Sequence, residues 1–282
     1  MKRFLAQGGL GNQLFVLSEA INTKTTTGYK IRISLPNRSK NSILELGKLK
    51  DITISCSKSD HKIYQLASFL SYKLPKSLVT ELLRGKVAIA KTVTSRLEDQ
   101  AVKEGVWIIG FFQDYNVVEQ SWNQIKVLLE TKFIELEPRI SQITNRKKYS
   151  VMHVRRGDYL QNRNSYGLLS LSYYNKLRVK LDYPTFILTD DETYLYDLKA
   201  NFKDAEVLGP NQLNTWESLA FMARASQIVT ANSSLSWWAS YFVAKHGGIA
   251  YLPKPWFKQG DKPGVTPLLS FPGAREVQSE FE

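Results

Sequence analysis

The stretch YSVMHVRRGDYL (149–160) decides the fold class, because it joins a buried strand to a cluster of charge. Its first half is an apolar run that predicts a strand, and its second half places Arg155, Arg156 and Asp158 close together. Two guanidiniums at the end of a strand are costly to hold together unless something anionic lies between them. The stretch therefore predicts an anion site at the carboxyl end of a buried strand.

Apolar strands continue to alternate with helices on the carboxyl side of this stretch. The strand-like runs are TFILTD (185–190), AEVLG (205–209), SQIVTA (226–231) and GIAYLP (248–253), with helical patterns between them. Apolar runs without polar alternation, separated by helices, predict a parallel sheet covered on both faces. We therefore predict a Rossmann-like domain over residues 148–282, with a last helix that packs back on the first domain.

The amino-terminal half opens in the same way, with a strand, a glycine-rich loop and a helix. KRFLAQ (2–7) predicts the strand, GGLGNQ (8–13) a tight turn and LFVLSEAINTKT (14–25) the helix. Further strand-like runs follow in a looser pattern. We predict an α/β domain over residues 1–147, with the polar stretch SQITNRKKYS (141–150) as the linker.

Polar residues follow three strands of the second half, at the point where each strand ends. They are HVRRGD (153–158), TDDE (189–192) and ANSS (231–234). Because ligands of open parallel sheets bind at the carboxyl ends of the strands, we expect the three clusters to meet at one edge. The last cluster also begins an apolar helix, where hydroxyls and free N–H groups suit a phosphate. Trp237 and Trp238, in that helix, are expected to pack in the core.

The side chains at this edge allow more than one interpretation. His153 lies on the same strand face as Arg155, so ligand contact and burial in the core are equally open. Asp158 either orients an arginine or acts as a base, and orientation is the more common role. Asp190 and Asp191 either cap a helix, contact a base or ribose, or hold a metal as D-x-D pairs do. With no other obvious ligands in the sequence, the first two roles are favoured over the metal.

The loop GGLGNQ (8–13) lies between a strand and a helix, where backbone amides face an anion. It lacks the third glycine of G-x-G-x-x-G and the G-K-[ST] of a Walker loop. Gly9 and Gly11 fit a simple tight turn. Asn12 and Gln13 favour a binding role, because amides after glycines can donate to an oxyanion or a sugar hydroxyl.

The composition is that of a globular protein with an excess of positive charge. There are 38 Lys and Arg against 26 Asp and Glu, a net charge of +12, which suits an anionic substrate or membrane unless it is only solvated surface. Cys56 is the only cysteine, so an intrachain disulfide and a Cys-rich zinc site are excluded. No signal peptide or membrane span is evident. We expect the chain to be cytoplasmic, or peripheral at the inner face of a membrane.

Six motifs resemble, in the same order, those of bacterial α-1,2-fucosyltransferases: GGLGNQLF (8–15), GFFQ (110–113), HVRRGDY (153–159), LSYY (171–174), TDD (189–191) and ANSSLSWW (231–238). The resemblance implies a GT-B architecture, two Rossmann-like domains facing across a cleft. It implies GDP-β-L-fucose in the carboxyl-terminal domain and a galactose-terminated oligosaccharide acceptor on the amino-terminal side. The implied reaction is an inverting, metal-independent transfer of L-fucose to O2 of the galactose in glycan or O-antigen-type synthesis, without a cofactor.

The resemblance also implies a role for each motif residue. Arg155 and Arg156 would neutralise the diphosphate as charge builds on the leaving group. Asn12 would reach the phosphate or the fucose, Asp190 would contact the nucleoside, and Asp158 is the nearest candidate for the base. The whole implied donor-binding set is Gly9, Gly11, Asn12, Gln13, His153, Arg155, Arg156, Asp190, Asn232, Ser233 and Ser234.

Three alternatives stay open at this point. One is a GT-B enzyme with the same diphosphate site but another donor sugar or acceptor. Another is a polyanion-binding or nucleic-acid-binding protein, although no basic stripe interleaved with aromatic residues and no helix-turn-helix, zinc or OB signature occurs. The third is a catalytically silent sugar-nucleotide sensor. The chain departs from the family's pattern in three places: the stretch from about 35 to 105, the segment MARASQ (222–227) and the segment after Trp256. These departures affect the prediction of the acceptor more than that of the donor.

Overall fold

A computed structural model describes residues 1–35, 41–57, 59–60, 62–63, 65–66, 87–90, 105–145, 147–260 and 267–282. The chain divides into two compact units, Met1–Thr131 with Pro263–Leu269 and Lys132–Lys262 with Ser270–Glu282. Each unit is built on one parallel sheet.

The first unit contains a five-stranded sheet in the order β3-β2-β1-β5-β4. Its strands are β1 (Lys2–Leu5), β2 (Ile31–Leu35), β3 (Ile52–Cys56), β4 (Val87–Ile89) and β5 (Trp107–Ile109). Helix α1 (Leu10–Thr27) follows β1, as the sequence predicts, but it begins four residues before the predicted start. The reason is that Gly9 takes the N-cap position in extended conformation, so the rest of GGLGNQ already belongs to the helix.

Helix α2 (Tyr115–Thr144) extends four residues into the stretch that was predicted to be a linker. Residues 141–144 form its last turn, so 141–150 is not a linker throughout. Its buried stripe continues from Phe133 to Ile140 and Thr144 at helical spacing, and this apolar face keeps the segment helical despite its polar composition.

The second unit contains a six-stranded sheet in the order β11-β10-β9-β6-β7-β8. Its strands are β6 (Ser150–Val154), β7 (Thr185–Thr189), β8 (Ala205–Leu208), β9 (Gln227–Val229), β10 (Ile249–Lys254) and β11 (Ala274–Gln278). Its helices are α3 (Leu171–Arg178), α4 (Leu195–Asn201), α5 (Thr215–Ala223) and α6 (Ser234–Lys245). This is the doubly wound arrangement predicted from the alternation of strands and helices.

The predicted last helix is not found in the described residues that follow Lys245. They form β10, β11, turns and irregular backbone. The segment Ala274–Gln278 pairs with β10 along all five of its residues instead, which makes it the sixth strand of the parallel sheet.

The strand order fixes where a ligand would bind in the second unit. The order reverses at β6, whose neighbours are β7 and β9, and ligands of such sheets bind outside the carboxyl ends of the strands at that point. The register pairs Val154 with Thr189, so Arg155 and Asp190 leave the sheet side by side. The convergence predicted for the polar clusters therefore follows from the register.

The core of the second unit is aromatic around α6. Trp237 and Trp238 are fully buried, with ring centroids 5.4 Å apart in a T-shaped arrangement. Trp237 also stacks on Tyr241 at 5.2 Å. Their predicted packing role is confirmed. Across the described part of the chain, no helix has both the length and the apolar character needed to span a membrane.

Candidate functional site

The turn after β6 is held by a carboxylate from the end of β7. Asp190 accepts a hydrogen bond from the backbone N–H of Arg156 at 2.8 Å through Oδ1, and its Oδ2 lies 2.6 Å from Nη1 of Arg155. Gly157 is needed there, because a Cβ at that position would lie well under 3.0 Å from Asp190 Oδ2. The motif R-R-G-D is thus a rigid turn, and its glycine makes room for Asp190.

Arg155 lies between two carboxylates. Besides Asp190, its Nη2 is 2.6 Å from Oδ1 of Asp158, and the orienting role of Asp158 stays a prediction. The guanidinium also lies 5.5 Å from the ring centre of Tyr159, whose hydroxyl donates to the carbonyl of Asn232 at 2.9 Å. Arg155 is therefore fixed in place but still partly exposed, with 28% of its side chain in contact with solvent.

Arg156 is more deeply enclosed, with 12% of its side chain exposed. Its Nε lies 3.2 Å from Asp191 Oδ2, and its Nη1 lies 2.5 Å from Glu282 Oε1. The guanidinium carbon stands 3.7 Å from the ring centre of Tyr194. Burial acts to lower the pKa of Arg156, but Glu282, Tyr194 and Asp191 outweigh it and raise the pKa above its ordinary value.

Asp191 takes the capping role that the sequence analysis left open. Its Oδ1 accepts hydrogen bonds from the backbone N–H of Thr193 at 2.9 Å and from the Thr193 hydroxyl at 2.6 Å, at the start of a short 3₁₀ helix. Burial acts to raise the pKa of Asp191, but the bonds from Thr193 and Arg156 outweigh it and hold the pKa below its ordinary value. Both oxygens are therefore engaged by donors of this chain.

Three polar residues stand at the start of α6, namely Asn232, Ser233 and Ser234. The first is bound to other parts of the chain, and the other two have groups that are available to a ligand. Asn232 is buried, and its side-chain amide donates to the carbonyls of Tyr166 at 3.0 Å and Gly167 at 3.2 Å. Ser233 takes the N-cap position, but its hydroxyl does not cap the helix. The first N–H groups of α6, beginning at Ser234, have no partner within the helix. This end of α6 can therefore donate to an anion.

A cavity of about 160 Å³ connects these elements. Its lining combines His153, Arg155 and Asp190 with apolar side chains from the ends of β7 and β8 and the starts of α5 and α6, namely Leu188, Leu208, Leu213 and Leu235. Burial, with a smaller effect of Arg155, lowers the pKa of His153 to about 3. His153 is therefore a neutral imidazole, and its buried Nδ1 has no hydrogen-bond partner among the described atoms.

In the first unit, the glycine-rich loop is joined to the GFFQ motif. Gln113 donates to Oδ1 of Asn12 at 2.8 Å. Gln13 donates to the carbonyl of Gly8 at 2.9 Å and accepts from the N–H of Ile43 at 3.1 Å. The two amides thus organise the loop, and a ligand role for Asn12 and Gln13 stays a prediction.

The predicted residues fall into two groups. Gly9, Gly11, Asn12 and Gln13 lie at the start of α1 in the first unit, with Gly9 as its N-cap and Gly11 inside it. The remaining eight, with Asp158 among them, lie together at the carboxyl edge of the sheet in the second unit. Two further residues of the site, Tyr194 and Glu282, are not marked by the sequence, because neither stands in a motif and only the fold brings them to Arg156.

Comparison with known proteins gives matches in sequence and in fold. A sequence model of the family described as glycosyl transferase family 11 matches residues 87–259. An α-1,2-colitosyltransferase of Escherichia coli is 23% identical over 279 residues, covering 92% of this chain and 93% of that protein. The O-antigen biosynthesis glycosyltransferase WbnK of Escherichia coli is 23% identical over 180 residues, covering 58% of this chain and 60% of that protein.

Among solved structures, the crystal structure of NodZ α-1,6-fucosyltransferase soaked with GDP-fucose aligns with a TM-score of 0.51. The sequences are 14% identical, and the alignment covers 86% of this chain and 93% of that one. At this identity the likeness concerns the fold. Together with the two parallel sheets, it confirms the predicted GT-B-like class.

Proposed function

Because the chain belongs to glycosyl transferase family 11, we propose that it transfers L-fucose from GDP-β-L-fucose to O2 of a terminal galactose. The resemblance to bacterial α-1,2-fucosyltransferases is confirmed at the level of the family, and a glycosyltransferase with a fucosyltransferase-like fold is the coarser statement that the comparisons support. The donor sugar, the linkage and the acceptor belong to the proposal.

The observation that carries the proposal is that Arg155 and the start of α6 lie at the same cavity. Arg155 and Leu235, the second residue of α6, line the same cavity at the point where the strand order reverses. A guanidinium and a helix N-terminus that share one crevice are suited to a diphosphate. In this proposal the diphosphate is bound by Arg155, by the hydroxyls of Ser233 and Ser234 and by the free N–H groups that follow them.

The carboxylate of Asp158 has to leave Arg155 if the guanidinium is to bind a phosphate. Asp158 has 69% of its side chain exposed, and an exposed ion pair contributes only about 0.2–1 kcal/mol. A diphosphate carries more charge and more acceptor oxygens than this carboxylate, so it replaces Asp158 at Nη2 of Arg155 at small cost. Asp190 stays behind Arg155 and keeps it aimed. Arg156, whose charge is offset by Asp191 and Glu282, supports the turn from its enclosed position in this proposal.

The cavity next to Arg155 suits the base of the donor nucleotide. Its four leucines offer apolar surface to a planar ring, and the neutral imidazole of His153 forms part of the same wall. Small-molecule sites combine apolar walls with a few polar groups in this way. We assign His153 to the base and leave the contact of Asp190 with the nucleoside as a prediction.

In the proposed reaction the galactose O2 attacks C1 of fucose while the bond from C1 to the phosphate oxygen breaks. GDP leaves with the electron pair of that bond, and the hydroxyl proton passes to a base or to water. Charge that builds on the leaving phosphate is stabilised by Arg155 and the start of α6. Asp158 stays the candidate base from the motif.

A second candidate function differs only in the donor sugar. The relative named as an α-1,2-colitosyltransferase aligns with nearly the whole chain, so transfer of another nucleotide-activated deoxyhexose through the same diphosphate site is the alternative. The net charge of +12 favours the anionic donor in either case, and it also favours contact with anionic lipid at the inner membrane face.

The test is release of GDP from GDP-fucose, in EDTA, with and without lactose as a terminal β-galactoside. Release that depends on lactose is expected. Release that does not depend on lactose would support the proposed donor and contradict the proposed acceptor. Binding of GDP without its release from GDP-fucose, with release from GDP-colitose instead, would replace the proposal by the second candidate. No binding of GDP would contradict both candidates.

A further inference from the structure

We infer that Glu282 is a positioning residue for the proposed donor site and acts on it through Arg156. This inference rests on the proposed function, because it concerns the same anion-binding turn. It goes beyond it in assigning a role to the segment 279–282, which contains no motif residue. We call this segment the strap.

The strap is held by backbone hydrogen bonds to the end of β10 and to residues 168–170, which precede α3. The N–H of Ser279 donates to the carbonyl of Lys254 at 2.9 Å, the N–H of Ser170 donates to the carbonyl of Glu280 at 2.8 Å, and the N–H of Glu282 donates to the carbonyl of Leu168 at 2.9 Å. Leu169 and Phe281 form an antiparallel bridge between these bonds. The direction of the strap is therefore fixed over its whole length.

A side chain anchors the strap as well. Phe281 packs against the core cluster of the second unit and lies directly on Gly167, where a Cβ would approach its ring to well under 3.0 Å. The carbonyl of Gly167 is in turn held by Asn232 at 3.2 Å, the residue before the N-cap of α6. The strap thus packs on the same loop that the ANSS motif holds.

The strap places the Glu282 carboxylate beside Arg156, whose side chain is enclosed by three elements. Asp191 comes from the end of β7, Tyr194 from the short helix after it and Glu282 from the strap, at the distances given above. Nε and Nη1 of Arg156 are engaged, and Tyr194 covers its guanidinium. The side chain is thereby fixed before any ligand arrives.

Arg156 transmits this constraint to the residue proposed to meet the diphosphate. Its backbone N–H is bound by Asp190 at 2.8 Å, and the same carboxylate holds Arg155 at 2.6 Å. If Glu282 is removed, the enclosed guanidinium loses one of its two charge contacts, and only Asp191 and Tyr194 still hold it. The turn that carries Arg155 then loses its fixed geometry, which weakens donor binding without touching the acceptor.

The experiment compares Glu282→Gln and Glu282→Ala with Glu280→Gln in the full chain. Glu280 is the matched control, because it lies on the same strap but pairs with the exposed Lys176. The readouts are the affinity for GDP by calorimetry, KM for GDP-fucose, KM for lactose, kcat and Tm. We expect both Glu282 variants to bind GDP roughly 10-fold more weakly and to raise KM for GDP-fucose alike, with KM for lactose and Tm as in Glu280→Gln. The substitution Glu282→Asp tests for partial rescue.

Three results would overturn the inference. If Glu282→Ala matches Glu280→Gln in every readout, Glu282 has no role at the site. If Tm falls and all kinetic parameters worsen together, the strap is only structural. If GDP binds more tightly to the Glu282 variants, the carboxylate competes with the diphosphate instead of positioning Arg156. Failure of the proposed function is distinguishable from all three, because the unaltered protein would then bind no GDP or would release none from GDP-fucose.

Discussion

Asp190 Oδ2 lies 2.6 Å from Arg155 Nη1, so the carboxylate that ends β7 holds the guanidinium that ends β6. The pairing of Val154 with Thr189 brings the two side chains out of the sheet together. An arginine fixed in this way loses little conformational freedom when a diphosphate arrives. Preorganised charge of this kind stabilises a developing anion more effectively than charge that must be ordered during the reaction.

Arg155→Ala is expected to lower kcat/KM for GDP-fucose about 100-fold or more, because it removes a charged donor aimed at the leaving group. Arg155→Lys keeps the charge but loses the planar guanidinium, so it is expected to recover only a small part of the lost kcat/KM. Steady-state kinetics with lactose measures both. Arg163→Ala, an exposed arginine of the same segment, is the control. Turnover close to that of the control by a folded Arg155→Ala protein would contradict the diphosphate role.

Gly157→Ala tests the packing of the turn against Asp190. The new Cβ would overlap Asp190 Oδ2, so the carboxylate has to leave the Arg156 N–H or the backbone has to shift. A displacement on the scale of 1 Å can lower the rate on the order of 100-fold. Gly47→Ala, where an added Cβ meets no atom within 4 Å, is expected to be silent. In a double-mutant cycle, Gly157→Ala should add nothing to Asp190→Ala, and full additivity of the two losses would refute the contact.

His153 makes stability depend on pH in a defined direction. Its pKa is about 3 in the folded protein against an ordinary value of 6.5, so between these values the unfolded state binds a proton that the folded state does not. Stability is therefore lost as pH falls below about 6.5, at roughly 1.4 kcal/mol per pH unit from this group, and it stops falling near pH 3. Urea unfolding at pH 7, 6 and 5 should show a smaller loss for His153→Asn than for the unaltered protein. Equal slopes for the two proteins would show that folding does not lower the pKa of His153.

The sequence predicted the elements that local pattern determines, and it missed what depends on pairing across the fold. Alternation of apolar strands and helices indicated the second sheet, and the polar strand ends indicated its ligand edge. The role of Tyr194 could not be predicted, because Tyr194 stands in no motif. Glu282 is 126 residues from Arg156 along the chain and reaches it through the pairing of β11 with β10 and the bonds of the strap to residues 168–170. The last turn of α2 was missed because its buried stripe is short and its composition polar.

Asn214 begins α5 with a capping box, in which its side chain accepts from the N–H groups of Trp216 and Glu217 while Glu217 accepts from the N–H of Asn214. Asn214→Ala removes the acceptor and is expected to lower the free energy of unfolding by about 1 kcal/mol. Asn214→Ser keeps an acceptor and should recover most of the loss. Urea unfolding monitored by circular dichroism measures both. Equal stability of the alanine and serine variants would mean that the cap contributes nothing.

Transfer is expected to proceed at full rate in excess EDTA. The carboxylates of Asp190 and Asp191, the D-x-D-like candidates, each use both oxygens on donors of this chain, namely the two arginines, the Arg156 N–H and Thr193. The charge of the leaving diphosphate is matched in the proposal by Arg155 and the start of α6, so the proposed mechanism does not call for a cation. GDP release with lactose, measured in EDTA and in magnesium, compares the two conditions directly. Loss of activity in EDTA that magnesium restores would return these carboxylates to a metal-binding role and require them to leave the arginines when the donor binds.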